Sequence, residues 1–271
     1  MKKVLLIVFL FCSFKIVSAQ RHELGLFMGG ANVIGDVGKG NYIMPFPQRV
    51  KGGDIDGYHI NGSLGLLYRY NINPFMGFRL NLSLARVGAS DHIADEQYKL
   101  DRDKQFGNRI YEGSLVYEYN FLDINDDQYF AHSPYMFFGI GLANYQVAKY
   151  GLKTEQRDGQ EEINSLVSIS KRENSFVLPF GVGYKVKFLY NWVLSAEVGF
   201  RYTGKDNLDF NKPDFTNELL DKANALKQEG NYKLQDEIDK RIHGNLSNKD
   251  WYVLSGLTLT YTFGRPACYC Y

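Results

Sequence analysis

The sequence predicts an all-β protein: an eight-stranded antiparallel transmembrane barrel with a helical insertion in its last extracellular loop. Three observations predict it. From Trp251 to Phe263 every second side chain is large and apolar, with Ser255 the one exception, while Thr258, Thr260 and Thr262 fill the other face. A period of two describes a strand whose faces see different surroundings, here apolar on one side and small or polar on the other. The chain begins with an export signal. Between signal and closing strand lie seven more alternating segments whose connections are alternately short and long.

The signal comes first in chain order. Lys2 and Lys3 precede an apolar run from Val4 to Phe14, and Val17-Ser18-Ala19 supplies small residues for cleavage before Gln20. The run is too short to span a bilayer as a helix. Cys12 lies inside it and follows Phe11, so a lipoprotein signal does not fit. No later stretch is long and apolar enough for a membrane helix. The exported chain is therefore either soluble or a barrel, since only helices and closed barrels cross lipid. A mean hydropathy of −0.30 and a net charge of +1 fit both. The 20 Tyr and 19 Phe favour the barrel, because they recur inside alternating segments as interfacial girdles do.

The strands are expected at Arg21–Gly30, Tyr58–Tyr70, Phe78–Val87, Ile110–Leu122, Tyr135–Val147, Phe176–Phe188, Trp192–Tyr202 and Trp251–Phe263. In the second, Ile60, Leu64, Leu66 and Tyr68 face out against Asn61, Ser63 and Arg69. In the third, Phe78, Leu80, Leu82 and Leu84 oppose Arg79, Asn81 and Ser83. The sixth is the clearest, with Phe176, Leu178, Phe180, Val182 and Tyr184 outward and Lys185 and Lys187 inward. The fifth is apolar on both faces, so its register stays open. The connections Gly29–Gly57, Gly88–Arg109, Ala148–Ser175 and Thr203–Asp250 are long, Asp123–Pro134 is intermediate, and Asn71–Gly77 and Leu189–Asn191 are short. Bacterial barrels have short periplasmic turns and long outer loops. With both termini in the periplasm of a bacterial outer membrane, every long connection falls outside. A soluble lipocalin-type barrel shows no such alternation and turns its apolar face inward.

An interior of eight strands is just wide enough for side chains to fill it. The inward set holds Arg69, Arg79, Lys185, Lys187 and Arg201 against Glu23, Glu112, Glu118 and Glu197. Buried charges must be paired, so Arg69, Arg79, Glu112, Glu118, Lys185, Glu197 and Arg201 are expected to form an ion-pair network that plugs the barrel. A selective pore is the other reading. No Ser/His/Asp set sits at matching depth on neighbouring strands, and the five histidines are scattered. No catalytic residue, cofactor, metal, small-molecule substrate or nucleic-acid partner is expected; outer-membrane lipid is.

Within the last loop (204–249) a helical stretch is expected over Phe215–Arg241. Leu219, Ala223 and Leu226 share one face, Leu234, Ile238 and Ile242 another. The Asp-rich lead-in lacks the ordered spacing of a calcium loop, and Asp214 is expected to cap the helix. The tail 264–271 carries Cys268 and Cys270, the two cysteines left after processing, in an oxidising compartment. They are too close for an unstrained mutual bond, which leaves a frayed end or a covalent or metal-bridged contact with another protein.

Several stretches resemble a known family. His22-Glu-Leu-Gly-Leu-Phe-Met-Gly-Gly-Ala-Asn-Val-Ile-Gly-Asp36, Asn174-Ser-Phe-Val-Leu-Pro-Phe-Gly-Val-Gly-Tyr-Lys185, Phe200-Arg-Tyr-Thr-Gly-Lys-Asp-Asn-Leu-Asp209 and the end from Asp250 to Cys270 are similar to the PorG-like outer-membrane proteins of the type IX secretion system. The resemblance implies a non-enzymatic, OmpA-like barrel that ties the periplasmic ring of the lipoprotein PorK and its partner PorN to the outer membrane, with Cys268 and Cys270 as candidates for a bond to a partner. The alternatives are a stand-alone barrel of adhesin or membrane-stabiliser type, and a narrow channel or barrel hydrolase.

Overall fold

The computed structural model describes residues 22–34, 43, 46–51, 58–91, 97–102, 105–125, 129–157, 160–205, 208, 210, 214–228, 230–239 and 250–263. The expected export signal and the cysteine tail lie outside them. Ten strands follow one another in chain order: β1 (His22–Ile34), β2 (Gln48–Lys51), β3 (Tyr58–Asn71), β4 (Met76–Ser90), β5 (Gln105–Asn120), β6 (Ala131–Arg157), β7 (Gln160–Phe188), β8 (Trp192–Thr203), β9 (Asp214–Phe215) and β10 (Trp251–Phe263). Helix α1 (Gln97–Arg102) precedes β5, and α2 (Asn217–Gln228) and α3 (Lys233–Asp239) precede β10.

Eight of the strands close a barrel. Each pairs antiparallel with its neighbour, and β1 pairs with both β10 and β3, so the sheet has no free edge in the wall. The two short strands are additions: β2 pairs with β3 above the β1 seam, and β9 pairs with β6. The short connections 72–75, 121–130 and 189–191 gather at one end, the turn end, with His22 and Phe263. The long connections gather at the other, the loop end. The turn between β7 and β8 is tight, with Leu189 and Tyr190 both in the left-handed region at φ 50° and 60°.

The wall is apolar outside and polar inside, the reverse of a soluble protein. Leu26, Leu66 and Leu82 are 63%, 58% and 57% exposed, while Glu118, Arg69 and Arg79 are buried. A closed barrel with that wall satisfies its backbone internally and offers lipid only hydrocarbon, which is how strands cross a membrane. Aromatic residues collect at both rims. Trp192–Tyr261 and His22–Phe263 ring pairs mark the turn end; Phe180, Phe200, Tyr202 and Trp251 form a connected group towards the loop end.

Four expectations are corrected or completed. First, the register of β6 is fixed: Tyr135 and Phe137 point inward, and Met136, Phe138, Ile140 and Leu142 outward. Second, the expected loop Ala148–Ser175 is strand. β6 and β7 run on past the wall as a paired hairpin to Arg157 and Gln160, with a register shift at Lys153/Thr154. Third, the helical stretch is two short helices, as its separate faces before and after Gly230 predict, but Asp214 does not cap the first. Asp214 belongs to β9, and the Leu219 amide donates to Thr216 Oγ1 at 3.4 Å. Fourth, Val253 and Ser255 lie on the outward register of β10 yet are buried. Phe46 rests against the wall there, bordering with Val182, Tyr184, Val198 and Ser255 a hollow of 350 Å³.

Outside the wall, the hairpin carries a small core of its own. Leu219 and Ala223 of α2 and Leu234 and Ile238 of α3 are buried against one another, with Tyr150, Leu152, Phe215 and Leu226 packed around them. The strand pairing of β9 and the Thr216 amide, which donates to the Tyr150 carbonyl at 3.0 Å, tie this unit to β6.

Candidate functional site: the charged interior

Strand alternation aims charged residues from six strands at one axis, and closure decides which of them meet. Nearest the turn end, Glu23 of β1 accepts from Arg69 of β3, from Asn71 Nδ2 at 2.7 Å and from Thr260 Oγ1 of β10 at 3.1 Å. Glu118 of β5 is the hub. Its carboxylate takes Arg69 Nε at 2.7 Å, Lys185 Nζ of β7 at 2.5 Å and Arg79 Nη1 of β4 at 3.0 Å. Lys185 also donates to Asn120 Oδ1 at 2.9 Å and lies 4.2 Å from the centre of the Tyr135 ring.

One layer higher, Arg79 Nη1 reaches Glu197 Oε2 of β8 at 2.6 Å, and the Tyr135 hydroxyl donates to the same oxygen at 2.6 Å. Phe137 presents its ring to the Arg79 guanidinium at 4.9 Å. A separate group lies above. Glu112 accepts from the Tyr252 hydroxyl at 2.8 Å and from Ser114 Oγ at 2.8 Å, with Arg201 Nε at 3.4 Å. Arg201 turns one nitrogen to the Gly199 carbonyl at 2.6 Å. All seven residues singled out for an interior network, Arg69, Arg79, Glu112, Glu118, Lys185, Glu197 and Arg201, are therefore buried and paired, in two groups. Tyr135 and Tyr252 belong with them. Their signal in the sequence was weak, since an inward Tyr in an apolar stretch looks like packing.

Towards the loop end the lining becomes apolar. Val33, Val87, Phe106, Ile110, Val147 and Leu254 form a buried cluster, and Leu208 of the last loop is buried within it. The backbone of Leu208 is clamped: its amide donates to Asp250 Oδ2 at 2.8 Å, and its carbonyl accepts from Asn108 Nδ2 at 3.0 Å. Among the described residues the bore is thus filled twice, by ion pairs below and by a hydrocarbon layer above. Glu23, Glu112, Glu118 and Glu197 are each engaged by cations or hydroxyls, and the described residues hold no cluster of three or more His, Cys, Asp and Glu suited to a metal ion. Cys268 and Cys270 lie outside the described residues. The strand that precedes them ends at the turn end, at Phe263.

Comparison with known proteins gives the chain a family. Residues 2–271 match the family described as "Domain of unknown function (DUF6089)". The chain belongs to that family. No curated protein matches this DUF6089 chain. Among solved structures it is similar to Ail, the attachment invasion locus protein of Yersinia pestis, at 11% identity over 90% of this chain and 99% of that one, with a TM-score of 0.40. It is similar to Neisserial surface protein A at 13% identity over 91% and 98%, TM-score 0.41. It is also similar to the N-terminal β-barrel domain of OprF from Pseudomonas aeruginosa, at 11% identity over 91% and 98%, TM-score 0.39. The barrel assignment of the DUF6089 chain itself rests on the closure of its own strand register.

Proposed function

We propose that this chain is a non-enzymatic barrel of the bacterial outer membrane that anchors other proteins. The observation that carries the reading is the filled bore. Among the described residues the barrel is plugged by Glu118 and its three cations, and again by the layer around Leu208, which favours a structural role over a channel. What is left to act with is its two rims. The apolar wall, the export signal and the alternation of short and long connections support the outer membrane as the place.

In its finer form the proposal is a subunit of the type IX secretion machine that ties the periplasmic ring of PorK and PorN to the membrane. The sequence resemblance supports it. So does the geometry of the ends: β1 begins and β10 stops at the turn end, so the chain carrying Cys268 and Cys270 leaves from the rim of short turns. With that rim in the periplasm, the two cysteines face a membrane-anchored lipoprotein. Pull-down from detergent-solubilised outer membranes tests this, with PorK and PorN expected in the eluate and a disulfide-shifted band on non-reducing electrophoresis. Recovery of the barrel alone, at monomer mass and from cells that export normally with both cysteines changed to Ser, counts against it. A second reading, a stand-alone adhesin, is favoured by one feature: the hairpin and helix unit at the loop end is a folded structure with its own core.

A further inference from the structure

Three arginines stand together on the outside of the wall. Arg86 of β4 lies directly opposite Arg109 of β5. Two strands on, Arg172 of β7 lies opposite Gln146 of β6, whose backbone is bonded to Asn108, the neighbour of Arg109. All three arginine side chains are exposed. They mark the loop-end margin of the lipid-facing surface. On β4 and β5 the next outward side chains towards the turn end are Leu84 and Tyr111, and one step further come Leu82, Leu142 and Phe176, all exposed. Leu82, Leu84 and Tyr111 border a shallow hollow of about 860 Å³ in the wall.

These charges are not compensated. Like charges directly opposite one another destabilise a sheet. Inside the barrel the same opposition, Arg69 against Arg79, is resolved by Glu118 between them. Outside, no carboxylate among the described residues pairs with Arg86, Arg109 or Arg172, and Glu173 is taken by Lys171 and Lys205. Arg172 is nevertheless fixed, by neutral groups. Its Nε donates to Asn144 Oδ1 at 2.5 Å, and its Nη2 to the Arg109 and Asn144 carbonyls at 3.1 and 3.0 Å. Its guanidinium lies 4.7 Å from the centre of the Tyr111 ring. These contacts bring it back onto β5, beside Arg109, with its charge intact. A preformed guanidinium cluster with no acid of its own is a receptor for an anion that arrives from outside.

Position selects the anion. The cluster sits where headgroups meet hydrocarbon, directly above apolar side chains, so its occupant has a charged head and acyl chains. Arginine forks match the oxygens of a phosphate, and basic pockets at a membrane surface hold phosphorylated headgroups. We propose that Arg86, Arg109 and Arg172 form a binding site for a phosphate-bearing lipid, its phosphate held by the three guanidiniums and its chains laid on Leu84, Tyr111 and Leu142. With the turn end in the periplasm, that lipid belongs to the outer leaflet. The site uses neither the cysteine tail nor a periplasmic partner, so it stands or falls separately from the tethering proposed above.

Native mass spectrometry of the full chain in neutral maltoside micelles tests it, with diphosphoryl lipid A titrated against phosphatidylcholine, whose phosphate is neutralised by choline. Heat-modifiable migration confirms that each variant is folded. The parent is expected to hold lipid A at least about tenfold more tightly. Arg86→Gln with Arg109→Gln, and Arg172→Gln alone, are expected to remove that preference. Lys227→Gln with Lys233→Gln, which takes two charges from exposed positions of α2 and α3, is expected to keep it. Glucosamine 1-phosphate, a head without chains, is expected not to displace the lipid even in large excess. Equal retention of the two lipids by the parent, undiminished binding by the arginine variants, or an equal loss in the lysine variant overturns the proposal. Displacement by glucosamine 1-phosphate overturns it too, by making this a site for a soluble anion.

Discussion

Arg69 and Arg79 stand directly opposite each other on β3 and β4, two buried guanidiniums in register on neighbouring strands. Like charges so placed repel. The arrangement holds because Glu118, from β5, reaches between them and binds both, while Glu23 and Glu197 take their other sides. The pair is therefore intelligible only in the closed barrel, where three further strands bring carboxylates to it.

Glu118→Gln is the sharpest test of that hub. It removes one charge and leaves Arg69, Arg79 and Lys185 facing one another. Breaking a buried pair by deleting one partner costs about 3–5 kcal/mol. The unfolding midpoint in urea, read by heat-modifiable migration in lipid vesicles, is expected to fall accordingly. A midpoint equal to the parent's would mean that water already solvates these groups.

Depth in the membrane gives a second prediction. Leu66 and Leu82 point outward between the two aromatic rims, whereas Phe180 belongs to the loop-end aromatic group. Arg on the lipid face costs ~2–4 kcal/mol at the midplane and ~0–1 kcal/mol near an interface. Leu82→Arg is expected to lower folding yield into vesicles far more than Phe180→Arg. Equal effects would place the wall differently in the bilayer.

How much of this was legible in the sequence follows from the same physics. The outward and inward sets of β3, β4, β7 and β8 were readable because a two-residue period survives whatever the strand pairs with. The register of β6 was not. Tyr135 and Phe137 face inward as aromatic surfaces for Lys185 and Arg79, so apolar residues occupy both faces. The partners of the charges were not readable either, since Arg79 and Glu197 are 118 residues apart and Glu112 and Tyr252 are 140. The hairpin beyond the wall was taken for a loop because its stretch around Ser165–Ser170 is too rich in serine to show an apolar face. The Thr216 cap was hidden by a better-looking Asp214 two residues earlier.

The helix unit yields a third prediction. Leu219 is fully buried between α2, α3 and the hairpin. Leu219→Ala deletes that contact at a cost of ~2–5 kcal/mol, which exceeds what two short helices can hold. Limited proteolysis is expected to cut within 217–239 in the variant and not in the parent, with the barrel's heat-modifiable migration unchanged. Loss of the barrel itself would show that the insertion is needed for assembly.

Glu173 supplies the last prediction, on the hairpin outside the wall. It accepts from Lys171 Nζ at 2.8 Å and from Lys205 Nζ at 2.9 Å. The bond from Lys171 comes first and that from Lys205 second in holding its carboxyl down to about 2, from an ordinary 4.5. A folded pKa below the unfolded one gives stability that is complete above 4.5 and disappears as the pH falls towards 2. Lys171 and Lys205 are 43% and 41% exposed, so solvent screens the pairs and the effect on global stability is small. What it holds is local: Lys205, just past β8, against the hairpin. Carboxyl chemical shifts of ¹³C-labelled protein are expected to show one glutamate titrating near pH 2 that is absent in Glu173→Gln. Lys205→Ala should move that titration upward, towards 4.5. A carboxyl that titrates at its ordinary value in the parent would mean that the hairpin and the end of β8 are not joined there.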